Sequence, residues 1–400
     1  MLSFTMRVIF LLFFITFFSS CTKLDSAEQV QVETVEVEIK TEAVNEENPE
    51  IADPLRIRSL EITASMDDRL LASHVIISGI DGRGSLPSYM IELLRRYPPG
   101  GVMLFSYNLN TVNNEIKNLL TETAVLIKNE SGIPPFMAVD HEGGTVNRFF
   151  QGVADIPNAS HYWDISQSIG RDEALSRLET ASFNAANAIS SLGINMNFAP
   201  VAEYLIDDNR SFLRYRSYGP DPFFTYQASS VFMQSMHQAG VLSVAKHFPG
   251  SAGQDPHYSA SVIHIERDEF DSLILPFIML INNGARAIMA AHTLIPSIDS
   301  KIASLSSVFM QDILRNELGF EGIIISDDFI MEAAGGINHF QAAVNSIIAG
   351  SDMILVWPGD LQRTHAAILT ALKEGHLPRE RLLEAVQRII YEKLRMGLMD

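Results

Sequence analysis

The side chains of this sequence best suited to chemistry are acids, imidazoles and one amine that stand at the ends of short apolar runs. Asp140 closes the run Phe136–Asp140, Lys246 and His247 lie near the end of Val241–Phe248, His292 closes Arg286–His292, and Ser326–Asp327 close Gly322–Asp327. A further acid and imidazole, Asp255 and His257 around Pro256, follow the string KHFPG at 246–250. An imidazole with an ordinary pKa of about 6.5 protonates a leaving oxygen in one form and activates water in the other. A carboxylate beside it fixes its tautomer and steadies its charged form. The carboxylate at 327 has a neighbour of the same type, Asp328. Successive residues of a strand face opposite sides, so only one of the two can face the cavity; a strand-end Asp can otherwise cap the following helix, a role that suits Asp328 better.

Such groups act together only if the backbone brings the run ends to one place. From about residue 66 onward short apolar runs alternate with amphipathic stretches, as in repeated βα units on a parallel sheet. Eight runs stand out: His74–Ile80, Gly101–Phe105, Phe136–Asp140, Gly193–Pro200, Val241–Phe248, Arg286–His292, Gly322–Asp327 and Asp352–Trp357. The expected fold class is α/β, a (β/α)8 TIM-like barrel forming a single catalytic domain over residues 63–400, with its site at the carboxyl mouth of the strands. A doubly wound open sheet would instead spread those ends along a line. Helical spacing supports the count. Phe309, Ile313, Leu314 and Leu318 follow a Ser306 or Ser307 cap and precede Gly319; Leu175, Leu178, Ala181, Ala185 and Ile189 precede Gly193; and Leu382, Leu383, Val386, Ile389 and Ile390 mark a last helix from about 379 to 396.

The 400 residues, 47% hydrophobic and 19% charged, are enough for one large core, and a net charge of −19 argues against nucleic acid as a partner. Residues 1–21 read as a lipoprotein signal peptide: Arg7, an apolar run from Val8 to Phe18, then Ser19-Ser20-Cys21. The ending Phe-Ser-Ser-Cys resembles a bacterial lipobox, the alternative being a plain secretory signal. Cys21 is the sole cysteine, unable to form an intramolecular disulfide, and lipidation gives it a role. The expected location is therefore outside the cytoplasm, anchored to the lipid bilayer of a bacterial membrane. Residues 22–62, rich in Glu and Val, read as an acidic flexible tether. No HExxH, paired-Cys or phosphate-binding glycine loop occurs, so no metal and no cofactor is expected.

Three strings occur in order: VDHEGG at 139–144, KHFPG at 246–250 with DPH at 255–257, and IIISDD at 323–328. Together they resemble glycoside hydrolases of family 3, and more narrowly that family's bacterial β-N-acetylglucosaminidases of cell-wall recycling, over about residue 66 to the carboxyl end. The resemblance implies retaining hydrolysis of terminal β-linked N-acetylglucosamine from glycans such as peptidoglycan fragments. It implies Asp327 as nucleophile and His257 as general acid/base with Asp255 as its dyad partner. Asp140 would accept from sugar hydroxyls, Lys246 and His247 would donate to the same ring, and Arg148 matches a second arginine of the family. RSYG at 216–219 resembles the family's R-S-F-G and points to Arg216, with Arg210, in a similar Arg-Ser-Phe, as the competing choice; His292 is placed in the pocket wall. The chain departs from the family pattern at Thr145, at Ser251-Ala252-Gly253 and at Pro256. Two other readings follow from these facts: a β-glucosidase-type enzyme, and a catalytically weakened lipoprotein of the same fold that binds wall fragments.

Overall fold

A computed structural model describes residues 53–149, 153–253, 261–329 and 338–400. Each expected run contributes a strand: β1 Ile76–Gly79, β2 Gly101–Leu104, β3 Phe136–Val139 and β4 Met196–Asn197 from the first four, then β5 Leu242–Ser243 and β6 Ala245–Phe248 from a fifth run broken in two. The last three give β8 Ala287–Ala290, β10 Ile323–Ser326 and β11 Ile354–Val356. Two short strands the sequence did not announce, β7 Ser261–Val262 and β9 Thr293–Leu294, pair with each other beyond the ends of β6 and β8.

All strand pairings are parallel, in the orders β11-β1-β2-β3-β4-β5 and β10-β8-β6. Isolated parallel bridges join Val201, after β4, to Lys246 of β6 and Met353, before β11, to Ile325 of β10, so the chain beside strands of the first sheet also bonds to the second. Every residue of β1, β2, β3, β6, β8, β10 and β11 is buried, which explains why these strands read as continuous apolar runs rather than alternating ones. Because neighbours run parallel, the carboxyl strand ends lie on one side of the sheets: Asp140 and Asp327 stand just past β3 and β10, His292 two residues past β8, and Lys246 and His247 within the short β6.

The helices follow the expected periodicity. Arg171–Leu192 buries Leu178, Ala185 and Ile189 and stops at Gly193, whose φ of 101° lies in the left-handed region that glycine tolerates. Arg379–Arg395 buries Leu382, Val386, Ile389 and Ile390. Ser306 supplies the cap expected before Phe309, accepting from its amide at 3.3 Å. The helix it opens, Val308–Glu317, is wound more widely than expected, as a π-helix with Leu318 N–H bonded to Ile313 O at 2.9 Å.

The tether boundary at residue 62 is corrected. Pro54–Ala64 is a helix that belongs to the folded body: Asp53 caps it through Leu55 N at 2.9 Å and accepts from the Tyr391 hydroxyl at 2.8 Å, while Arg56 lies 5.0 Å over the Tyr391 ring. Its buried positions include Ser59 and Thr63. Small hydroxyl residues on the inward stripe gave this stretch the polarity of a linker, and tertiary packing overrides that signal. The signal peptide, Cys21 and residues 22–52 lie outside the described residues. Among the described residues no helix is long and apolar enough to cross a membrane.

Candidate active site

At the carboxyl strand ends lies a cavity of about 320 Å³ lined by, among others, Asp140, Arg148, Arg216, Lys246, His247, His292, Asp327 and Asp328. A larger cavity of about 900 Å³, lined by residues such as Arg69, Arg96, Lys128 and Ser73, sits near the amino ends of the strands and contains none of these groups.

Asp140 stands one residue past β3. Its Oδ1 receives Lys246 Nζ at 2.5 Å and its Oδ2 receives Arg148 Nη2 at 2.8 Å, while Arg148 Nε donates to the Asp140 carbonyl at 3.0 Å. The chain returns Arg148 to Asp140 through a tight turn in which Glu142 N–H bonds Val146 O at 3.1 Å. That turn needs glycine: Gly143 and Gly144 have φ of 91° and 51°, and a Cβ on Gly144 would fall 1.9 Å from Asn158 Oδ1. Lys246 also reaches Glu142 Oε1 at 2.6 Å, and Arg216 grips Glu142 with two bonds of 2.9 and 2.8 Å. Two carboxylates and three cations thus form one half-buried to buried network, whose charged donors and acceptors suit a polyhydroxylated ligand.

Burial opposes ionisation of both acids, yet the cations prevail. Lys246 and Arg148 hold Asp140 below the usual carboxylate range despite the nearby Glu142, and Lys246 with Arg216 holds Glu142 well below it. Arg216 is driven the other way: burial lowers its pKa, but Glu142 more than compensates and raises it.

His247 is oriented from behind. Its Nδ1 lies 2.6 Å from Glu203 Oε1, which also accepts the His247 amide at 3.2 Å and the Ser251 hydroxyl at 3.0 Å, while Oε2 takes Ser251 N–H at 2.5 Å. The carboxylate requires Nδ1–H as donor and leaves Nε2 for other partners. His292 is buried with both nitrogens engaged, Nε2 donating to Asp328 O at 2.9 Å and Nδ1 meeting the Ser304 hydroxyl at 2.6 Å. Burial lowers its pKa against the opposing pull of Asp327. His292 is among the residues lining the cavity, and its hydrogen bonds hold the chain that carries residue 328.

Asp327 follows β10 directly, its amide bonded to Ala290 O at 3.1 Å and its Oδ1 accepting Asp328 N–H at 2.8 Å. Among the described residues Oδ2 has no hydrogen-bond partner. The expectation that only one of the two acids reaches the cavity is corrected: Asp328 lines it as well, accepting Trp357 Nε1–H at 2.5 Å. Strand alternation fails as a guide here because β10 ends at Ser326, before either acid. The helix-cap role given to Asp328 concerns residues outside those described.

Asp255 and His257 also lie outside the described residues. The segment that carries them leaves from Ser251 and returns at Ser261, both in the cavity wall. Its roots are pinned: Ala252 N–H bonds Ser261 Oγ at 2.9 Å, Ser261 Oγ meets Thr293 Oγ1 at 3.0 Å, and Thr293 donates to Gly250 O at 2.7 Å. Between the two candidate arginines the fold brings in Arg216, whereas Arg210 is exposed and 3.8 Å from Asp207.

Sequence reasoning missed Glu142, Glu203, Asp328 as a wall residue, Phe105 and Trp357. Glu142 sits two residues after Asp140 within VDHEGG, and Glu203 three residues after Pro200, where the fourth run ends, so the same attention to strand ends would have found both. Among the described residues no group of three or more His, Cys, Asp or Glu side chains is placed to hold a metal ion.

The pattern described as the glycosyl hydrolase family 3 N terminal domain matches residues 85–391. A beta-hexosaminidase of Chromobacterium violaceum is 32% identical over 302 residues, covering 72% of this chain and 79% of that protein. One of Hydrogenovibrio crunogenus is 32% identical over 287 residues, covering 71% and 78%. Among solved structures, a glycoside hydrolase family 3 beta-N-acetylglucosaminidase from Paenibacillus sp. superposes with a TM-score of 0.78 at 26% identity, covering 84% of this chain and 63% of that one. NagZ from Neisseria gonorrhoeae, in complex with N-trifluoroacetyl-D-glucosamine, superposes with a TM-score of 0.68 at 26% identity, covering 82% and 94%.

Proposed function

The chain belongs to glycoside hydrolase family 3, and from that premise we propose that it is a retaining, exo-acting β-N-acetylglucosaminidase working through a covalent glycosyl-Asp327 intermediate. It is a glycoside hydrolase of the β-N-acetylhexosaminidase type. The observation that carries the mechanistic reading is the Asp327 carboxylate sharing a cavity of about 320 Å³ with Asp140, Lys246, Arg148 and Arg216, whose network Glu142 ties together from behind. That volume is at the small end for ligand pockets and suits one sugar residue at a time.

In the first step Asp327 attacks the anomeric carbon while the imidazolium of His257 protonates the leaving oxygen. In the second, neutral His257 takes a proton from water as it displaces the sugar from Asp327. Asp255 orients the His257 ring; what supports this reading is that Ser251 and Ser261, which flank the segment in sequence, both line the cavity. An imidazole in place of the commoner second carboxylic acid suits a substrate with its own carboxylate near the scissile bond, as a peptidoglycan fragment has, because a second anion there would be repelled. Closure of the two sheets into one (β/α)8 barrel is supported by the bridges at Val201–Lys246 and Ile325–Met353. We place the enzyme outside the cytoplasm, held to the bilayer by a lipid on Cys21.

The test is release of p-nitrophenol from the β-N-acetylglucosaminide and the β-glucoside by the whole chain and by Asp327→Ala. Turnover confined to the N-acetylglucosaminide, lost by about 10⁴-fold or more in the variant, is expected. Equal turnover of the glucoside would make it a β-glucosidase, and no turnover of either would leave a binding protein.

A further inference from the structure

The cavity has a second kind of wall that the chemistry above does not use. Phe105 follows β2 and Trp357 follows β11, and the strand between them, β1, ends in Gly79. A Cβ on Gly79 would stand 2.9 Å from Phe105 Cε2 and 2.8 Å from Pro358 Cδ, so the missing side chain is what lets residues from the two flanking strands meet over the middle one. They meet face to face: the Phe105 and Trp357 rings are 4.7 Å apart and inclined by 9°, and Tyr107 continues the pile 5.6 Å from Phe105 at 17°.

The pile is fixed by hydrogen bonds at each level. Trp357 Nε1 donates to Asp328 Oδ2 at 2.5 Å, and the Tyr107 hydroxyl donates to Ile80 O at 3.0 Å. Asn108 accepts the Phe105 amide at 2.9 Å and donates to the Ile80 and Gly82 carbonyls at 3.0 and 2.9 Å. Yet Trp357 and Tyr107 each remain 38% exposed, whereas Lys246 and His247 on the polar side of the cavity are 2% and 8% exposed. Large aromatic surface held rigid and left in water is the form taken by binding walls.

We propose that Trp357, supported by Phe105 and Tyr107, is the subsite for the leaving group, and that it takes a ring-shaped leaving group with a flat C–H face, such as a second pyranose. This rests on the hydrolase reading given above. The terminal sugar enters as far as the buried polar network, so the portion beyond the scissile bond stays at the exposed rim. Trp357 occupies that rim and is hydrogen-bonded to the residue next to the nucleophile. One indole face is covered by Phe105; its electron-rich opposite face attracts the polarised C–H groups of a sugar.

The experiment compares the whole chain with Trp357→Ala and Trp357→Phe on two probes, N,N′-diacetylchitobiose and methyl β-N-acetylglucosaminide. Trp357→Ala should lower kcat/KM for the disaccharide about tenfold, chiefly through KM, while the methyl glycoside changes by less than about twofold. Trp357→Phe should recover most of the loss. An equal loss on both probes would place the ring under the terminal sugar or give it a purely structural role, and no change on either would remove it from the site; each overturns the proposal. If the unaltered chain cleaves neither probe, the hydrolase reading fails, and indole fluorescence then judges the subsite. Quenching by the disaccharide that exceeds quenching by the methyl glycoside and disappears in Trp357→Ala supports it; its absence overturns it.

Discussion

Glu203 is the residue on which the polar side of the cavity turns, and replacing it by glutamine isolates its contribution. The carboxylate is 5% exposed and faces only donors: Oε1 accepts from His247 Nδ1, His247 N and Ser251 Oγ, and Oε2 from Ser251 N at 2.5 Å. Glutamine keeps one accepting oxygen. With that oxygen on the His247 side, the amide NH₂ faces Ser251 N–H and leaves a buried donor without an acceptor, at about 1–3 kcal/mol. The bonds that remain lose their charge assistance, which adds about 1–2 kcal/mol. Glu203→Gln should therefore unfold in urea with a stability lower by about 2–5 kcal/mol. The same change weakens the hold on the His247 ring and loosens the root of the 254–260 segment, and a misplacement of that kind lowers kcat/KM by about 10²-fold. Urea titration and N-acetylglucosaminide kinetics read the two effects separately. A variant within about 0.5 kcal/mol of the parent and within twofold in kcat/KM would refute the reasoning, and a destabilised but fully active variant would confine Glu203 to holding the fold.

Two further outcomes follow from the same kind of accounting. Asp140 and Glu142 titrate lower in the folded chain than in the unfolded one, chiefly because Lys246, Arg148 and Arg216 overcome the effect of burial; their contribution to stability is thus complete above about pH 5 and lost as pH falls through the folded values. Urea midpoints measured from pH 7 to pH 3 should fall on the acid side, more shallowly in Glu142→Gln. A chain beginning at residue 53 should match the full chain in urea, whereas one beginning at residue 65 should lose the Asp53–Tyr391 bond and the packing of Ser59 and Thr63 and unfold earlier; equal midpoints would return residues 53–64 to the tether.

The strands were legible because a parallel sheet covered on both faces demands continuous apolar runs, and runs such as Ile323–Ser326 and Phe136–Val139 have no other use for so many branched and aromatic side chains. The site was legible to the extent that its residues lie at the ends of those runs: Asp140, Lys246, His247, His292 and Asp327 could be placed on one rim before any partner was known. The helix Pro54–Ala64 was not legible, since its inward stripe carries Ser59 and Thr63 and its stability comes from Tyr391, more than 300 positions away in the chain. Period and composition report on neighbours within a few residues, and this helix is fixed by a neighbour that is remote in sequence.

The same limit explains why the donors of the site were found more readily than the residues that aim them. Lys246 and His247 advertise themselves by being polar within an apolar strand, but what they do depends on Glu142, 104 positions earlier, and Glu203, 44 positions earlier. A Lys246 ammonium without Asp140 and Glu142 would be a buried charge without its counter-ions, and a His247 ring without Glu203 would be free to present either nitrogen. The aromatic pile goes further, because Phe105, Trp357 and Gly79 stand at the ends of three different strands and carry no charge at all. Only the strand order β11-β1-β2 makes them neighbours. The aromatic wall is therefore the part of the cavity least visible along the chain, since it arises from which strands lie side by side, whereas the polar groups are announced one strand at a time.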